Sequence, residues 1–306
     1  MRVKTIHTKN LRWIDIVNPE AEELRWVRQN FQFNEVHFQE LERHQQRAHL
    51  DQGENYDYIV LLFPVYNKTT QEITAGEVDF FISNNFVLTA HYGEIHTIAE
   101  LFNRVHSDQK TRDALMQRGS GYLLYRILES LFRRSYPILD HMNEDVNKIE
   151  TKIFHKHDTD VLSHIMLMKK NVIEFRRMMK THRSVLEKLP QRKNDYLLFP
   201  QSRLYYRDLH EYSTDIWDVL ETLKETIDTL HETSQSIATH HLQEQTRIIG
   251  LFTAIIIPAT LVAFLFGVGV EGIPFRHHPD GFWIVAGIMA TASVTLWAVF
   301  KSMRWF

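Results

Sequence analysis

Apolar positions along this chain keep changing their spacing, and each change predicts a different kind of element. Near the N-terminus, WIDIV, YIVLLFPVY, EVDFFIS and NFVLTAHY are short runs rich in β-branched and aromatic residues and read as strands, with Asn84-Asn85 as a hairpin turn between the last two. After WIDIV, Asn18-Pro19 opens a helix whose first turn holds Glu20, Glu22 and Glu23, the charge that a helix N-terminus favours. From about residue 106 to 190 the pattern is helical: Leu123, Ile127 and Leu131, then Ile138, Met142, Val146, Ile149 and Ile153 recur at spacings of three and four. A second helix runs through DVLSHIMLMKKNVIEFRRMMKTHRSVLEKL and ends before Pro190. Leu209, Ile216, Leu223, Leu230 and Ile237 then recur every seven residues, thickened by Tyr212, Val219, Leu220 and Ile227. Such a seam predicts a stalk helix packed against parallel neighbours, and so a homo-oligomer whose stalks converge on one axis.

The periodicity ends in two unbroken apolar stretches. Residues 248–270 are 23 positions without a formal charge, and residues 281–300 are 20 more. A helix needs roughly 20 residues to cross a hydrocarbon core, and neither stretch has the polar face of a soluble core helix. No Gly or Pro interrupts the chain between the heptad seam and Gly250. Stalk and first span are therefore expected to form one helix from about Ser202 to Phe266, on the order of 95 Å long. Pro258 is tolerable inside a membrane helix, and Trp283 and Trp297 stand near the ends of the second span, where indoles favour the interface. Arg247 precedes the spans, Lys301 and Arg304 follow them, and the loop between them carries Glu271, Arg276 and Asp280. The excess of basic residues outside the loop places both termini in the cytoplasm of a multi-pass protein of the cytoplasmic membrane.

The expected class is an α+β membrane protein. Its parts are a cytoplasmic α/β domain at 1–105, a cytoplasmic helical region at 106–200, a stalk helix at 201–246, and two transmembrane helices within 247–306, at about 248–268 and 282–300 with a short external loop. Composition narrows the function. A net charge of −3 gives no bulk attraction to nucleic acid. The absence of cysteine excludes disulfides, a thiol nucleophile and thiolate metal ligands. MRVKTIHTKNLRWID holds no apolar run of signal-peptide length, so the soluble part is expected to stay cytoplasmic. No nucleophile elbow, P-loop or metallohydrolase motif appears, so neither an enzyme nor a cofactor is expected.

The chain resembles the CorA family of divalent-cation transporters over nearly its whole length. The segments that carry the likeness are WID…P…EEL, RAHL…YDYIVLL and SNNFVLTAHYGE in the α/β part, and DVLSHIMLMKKNVIEFRR in the helical part, where Thr181 replaces a proline often seen after the arginine pair. YYRDLHEYSTDIWDVLETLKETIDTL resembles the family's stalk. QEQTRIIGLFTAIIIPAT, with Glu244, Arg247, Pro258 and Thr260, is similar to the entry into its pore helix, and KSMRWF to its basic-then-aromatic tail. The departure falls at the end of the first span. CorA proteins carry Gly-Met-Asn there and ZntB-type relatives Gly-Val-Asn, whereas this chain has Gly267-Val268-Gly269, with flanks closer to ZntB. The resemblance implies a funnel-shaped homopentamer in membrane lipid, with the first span lining a pore and the cytoplasmic domain acting as a metal-sensing gate. The implied cargo is Mg²⁺ or a transition dication such as Zn²⁺, Co²⁺ or Ni²⁺.

A pore for a strongly hydrated dication needs rings of neutral oxygens and a dry constriction. Gln243, Thr246, Ile249, Thr253, Ile257, Thr260, Phe264 and Gly267 share one helix face. Hydroxyls and an amide gain nothing from lipid, so this face is expected on the axis, the threonines meeting first-shell water and the isoleucines forming gating collars. The alternative is that the threonines bond back to their own helix carbonyls. At Gly269, either backbone carbonyls of 267–269 replace the missing amide ring in a less selective mouth, or selectivity is lost and the protein is a non-conducting scaffold or metal sensor. Glu271 is either a cation-concentrating ring at the external mouth or a solvated loop carboxylate. His277, His278 and Asp280 offer a Zn²⁺ alternative to plain interfacial residues. His240-His241 is a candidate pH or zinc sensor. His37, His44 and His49 lack i, i+4 spacing, and His155 and His157 point to different helix sides. Asp208, Asp215, Asp218 and Glu232 on the stalk are either regulatory metal ligands between subunits, as the family resemblance implies, or a solvated face.

Overall fold

In the computed structural model, residues 2–43, 47–92, 94–153, 161–191, 194–267, 274 and 278–302 are described. The β-branched runs form one six-stranded sheet: β1 (Val3–His7), β2 (Arg12–Val17), β3 (His49–Gln52), β4 (Asp57–Tyr66), β5 (Ile73–Ile82) and β6 (Phe86–His91). Their order across the sheet is β1-β2-β6-β5-β4-β3. Every neighbouring pair is antiparallel except β2 and β6, whose register sets Asp15 opposite Thr89. A parallel pair needs a long connection, and here α1 (Ala21–Asn30), α2 (Glu35–Arg43) and strands β3 to β5 lie between its members. The short edge strands β1 and β3 are additions to what the apolar runs predict. The turn between β5 and β6 closes with the Ser83 N–H on the Phe86 carbonyl, 3.0 Å, at the place where Asn84-Asn85 predicts it.

The sheet is covered on both faces, which is why β6 is buried at every position. On one face Ile14, Ile16, Phe81 and Leu88 pack with Val27 of α1 and with Phe38 and Leu41 of α2. On the other, Trp13 meets Phe102 edge-on at 5.0 Å and Phe63 meets Phe132 at 5.5 Å. These partners come from α3 (His96–Ser107) and α5 (Ser120–Ile153), which with α4 (Gln109–Met116) and α6 (Val161–Lys188) make up the helical region. The α1 start follows its charge pattern. Glu20 and Glu23 form a capping box, and Glu23 also accepts the Arg2 N–H at 2.8 Å. That bond holds the Glu23 carboxyl below its ordinary range against the opposing effect of burial.

The chain divides into two compact units, residues 1–231 and 232–306. Helix α7 (Ser202–Gly267) runs unbroken through Pro258, and α8 (Gly281–Ser302) follows. In the first unit the heptad seam finds its partners within the same chain: Leu209, Ile216, Leu220, Leu223, Ile227 and Leu230 are all buried. Around them Lys169 pairs with Asp228 at 2.7 Å, Arg176 pairs with Glu221 and lies over the Trp217 ring, and Tyr136 meets Tyr212. From Leu209 to Leu230 the seam predicted to pack against neighbouring stalks is thus filled by this chain's own helices, while its last member, Ile237 in the second unit, is half-buried. A seven-residue repeat reports that a face is buried without naming the partner.

Candidate ion pathway and the charged groups around it

Helix α7 contains, and Gly281–Val299 of α8 forms, a stretch long and apolar enough to cross a membrane. Within the second unit, Gln243, Thr246, Ile249, Thr253, Ile257, Thr260, Phe264 and Gly267 are all exposed. Large apolar side chains on this face stand open, Ile249 at 66% and Phe264 at 72%. Leu251, Ala254, Ile255, Pro258, Val262 and Phe266 are half-covered, and at about 100° per residue they fall on the opposite side of the helix. Between residues 251 and 266 the two sides of α7 are therefore distinguishable inside one chain, with Thr253 and Thr260 on the uncovered one, whereas residues 240–250 are exposed all round.

Each of these threonine hydroxyls donates to a carbonyl one turn back: Thr246 to Leu242 at 2.8 Å, Thr253 to Ile249 at 2.8 Å, and Thr260 to Ile256 at 3.0 Å and Ile257 at 2.8 Å. The back-bonded alternative is thus present, and it is compatible with a role in permeation. A hydroxyl has one hydrogen and two lone pairs. Spending the hydrogen on the helix leaves the oxygen as an outward acceptor, and the water shell of a dication presents outward donors. Thr239 extends the series by one further heptad, exposed and donating to Gln235 at 2.9 Å. The seven-residue spacing of Thr239, Thr246, Thr253 and Thr260 was the available signal for it.

Other candidates are placed less tellingly. A Cβ at Gly250 or Gly267 would meet nothing within 4 Å, so no packing within the chain requires glycine there. His278 Nδ1 accepts the Asp280 N–H at 3.1 Å, a local turn ahead of α8. His240 and His241 are exposed on α7. Asp208 accepts the Tyr125 hydroxyl at 2.8 Å, while Asp215, Asp218 and Glu232 are exposed. Among the described residues no group of three His, Asp or Glu side chains is arranged to hold a metal ion. Val268, Gly269, Glu271, Arg276, His277, His44, His155, His157 and Arg304 lie outside the described residues.

One charged cluster escaped linear spacing altogether. His37 on α2 and His49 on β3 do not share a helix, yet folding brings His49 Nε2 to 3.3 Å from Glu40 Oε2, and Glu40 also acts on His37. Next to them Tyr58 donates to the buried Asp79 at 2.6 Å. Burial, then the neighbouring Glu77, pushes the Asp79 carboxyl well above its ordinary range. The corresponding burial of His37 lowers its imidazole, with Glu40 opposing. Nothing in one-dimensional periodicity reports a helix-to-strand contact of this kind.

The model of the family described as CorA-like Mg²⁺ transporter protein matches residues 8–302. The chain is 24% identical over 295 residues to the cobalt/magnesium transport protein CorA of Methanocaldococcus jannaschii, covering 96% of this chain and 91% of that protein. It is 21% identical over 206 residues to the zinc transport protein ZntB of Pectobacterium carotovorum, covering 67% of this chain and 61% of that one. Among solved structures, the complete CorA magnesium transporter of M. jannaschii superposes with a TM-score of 0.84 at 22% identity, over 98% of this chain and 94% of that one. The full-length CmaX protein superposes with a TM-score of 0.75 at 18% identity, over 97% and 90%. These likenesses show that the sheet, the helical region, α7 and α8 together form a known fold.

Proposed function

That the chain belongs to the CorA-like Mg²⁺ transporter family is the premise from which we propose that it conducts divalent cations through the cytoplasmic membrane as a homopentamer with both termini in the cytoplasm. The pathway is the face of α7 that carries Gln243, Thr246, Ile249, Thr253, Ile257, Thr260 and Gly267. The observation that carries this reading is that all of these positions are exposed, and that between residues 251 and 266 the opposite side of α7 is half-covered. The family supplies the divalent cargo. Relatives named for cobalt and magnesium and for zinc make Mg²⁺, Co²⁺ and Zn²⁺ the ions to test, with Ni²⁺ as a further transition dication.

Five copies of each back-bonded threonine make a ring of acceptors facing the outward hydrogens of a hydrated ion, so the ion passes without shedding its inner water. Ile249 and Ile257 make apolar rings between them, which close by dewetting. At the external end, carbonyls of Gly267, Val268 and Gly269 stand in for the amide ring, and Glu271 raises the local cation concentration. Asp208, Asp215, Asp218 and Glu232 hold regulatory ions between stalks. Inward movement is favoured by about 4.6 kcal/mol per dication for each 100 mV of inside-negative potential, twice the single-charge value.

Metal uptake into proteoliposomes tests the reading. We expect uptake of at least one of the four ions, and Gly269→Asn is expected to shift the preference toward Mg²⁺. A wild-type protein silent to all four ions would instead make it a scaffold or sensor, and Mg²⁺ flux regained in Gly269→Asn would identify the tripeptide as the cause.

A further inference from the structure

The first unit holds a cavity of about 750 Å³ bounded by the end of β4 with its hairpin, the start of α3 and the middle of α5. Its wall is apolar where Phe63, Pro64, Ile95 and Ile138 line it, and Phe63, Pro64 and Ile95 are themselves buried. Two fixed cations, Lys68 and Arg134, line the same space, and among the described residues Glu94 is its one acid. Both cations are exposed, and neither has a carboxylate partner among the described residues, whereas Arg126 and Arg133 on the same helix as Arg134 pair with Glu129. The first turn of α3 adds to the positive side. It has no side-chain cap and no acidic residue, and His96 and Thr97 from it line the cavity.

We infer that this cavity binds a small organic anion, an apolar or aromatic body bearing a phosphate or carboxylate. The body lies on the Phe63, Pro64 and Ile138 surface and the anionic group between Arg134, Lys68 and the start of α3. An apolar floor with a few convergent polar groups is the usual make-up of a small-molecule site. Arg134 supplies the planar fork that matches phosphate and carboxylate oxygens. The site is not part of the proposed cation pathway, because it would take an anion and its residues belong to the first unit.

Calorimetric titration of the purified full-length protein with phenyl phosphate, benzoate, inorganic phosphate and phenol tests this. One saturable site per chain is expected for phenyl phosphate or benzoate, at least about tenfold tighter than for inorganic phosphate or phenol. Arg134→Gln and Lys68→Gln, which remove exposed and unpaired charges and leave folding intact, are each expected to weaken that site about tenfold or more. Saturable binding of phenyl phosphate but not benzoate assigns the phosphate, and the reverse assigns the carboxylate. Failure of both anions to saturate, phenol binding as tightly as phenyl phosphate, or unchanged affinity in both variants would overturn the inference.

Discussion

The stretch of α7 before residue 231 and the stretch after it are built from similar apolar residues and put them to opposite use. In the first, Leu209, Ile216, Leu220 and Leu223 are buried by the chain's own helices, and polar neighbours pair across the packing, as Lys169 does with Asp228. In the second, Ile249, Ile257 and Phe264 stand open. One stretch is part of a finished core. The other presents a surface whose proper solvent is lipid on one side and, in our reading, a shared water path on the other. Side chains of the same type should therefore carry stability in the first stretch and transport in the second.

The largest effect on stability is expected from Ile216→Ala, which opens a cavity in the fully buried seam and should cost about 2–5 kcal/mol. The matched change Ile257→Ala removes an exposed side chain and should stay within about 0.5 kcal/mol. Thermal unfolding of both variants in the same detergent checks the contrast. Equal losses would mean that the two stretches do not differ as described.

How much of this was readable in advance depends on what a periodicity can report. The bounds of α7 followed from an unbroken heptad run entering an apolar stretch, and the structure places them at Ser202 and Gly267. The strands of the sheet centre followed from dense β-branched runs. The edge strands did not, because VKTIH and HLDQ are short and half-polar and are held by register with β2 and β4. From Leu209 to Leu230 the seam's partner was misassigned, since burial by a neighbouring stalk and burial by α5 and α6 leave the same seven-residue trace. Spacing alone sets the threonines on one side of α7, and it left open whether their hydroxyls bond back to the helix, as they do here. The His49–Glu40 contact joins a strand to a helix and leaves no linear signal.

The next largest effect is one of pH, and it belongs to the first unit. His182 is fully buried beside the rings of Phe63 and Phe132. Burial lowers its imidazole to about 3 from an ordinary 6.5. Below 6.5 the unfolded chain takes up a proton that the folded chain refuses, so stability is complete above that pH and declines as pH falls toward 3. The slope is at most about 1.4 kcal/mol per pH unit. Asp79 acts in the opposite sense, because its raised carboxyl loses stability as pH rises. The measurement is therefore a comparison: between pH 6.5 and 4.5 the wild type should lose about 2 kcal/mol more than His182→Leu. Parallel pH profiles would show that His182 is not the group refusing the proton.

A smaller change is expected where the packing meets solvent. Lys169 and Asp228 are each 36% exposed at 2.7 Å, and removing the charge in Lys169→Met should cost about 0.2–1 kcal/mol, less at high salt. A loss of several kcal/mol, insensitive to salt, would place the pair inside the core and blur the boundary between seam and surface.

The smallest effect on stability carries the most information about function. Thr253→Val keeps the side-chain shape, deletes one hydroxyl and frees the Ile249 carbonyl to its ordinary helical bond. Since the position is exposed within the chain, unfolding should change by no more than about 0.5 kcal/mol. If the hydroxyl oxygen is an acceptor for the water around a passing dication, five copies of valine replace a polar ring by an apolar one between Ile249 and Ile257, and uptake should fall by about tenfold or more. Thr253→Ser restores the oxygen with its lone pairs and should restore uptake. A valine variant that folds and transports like the wild type would show that the ions do not pass along this face, whatever the family likeness of the chain around it.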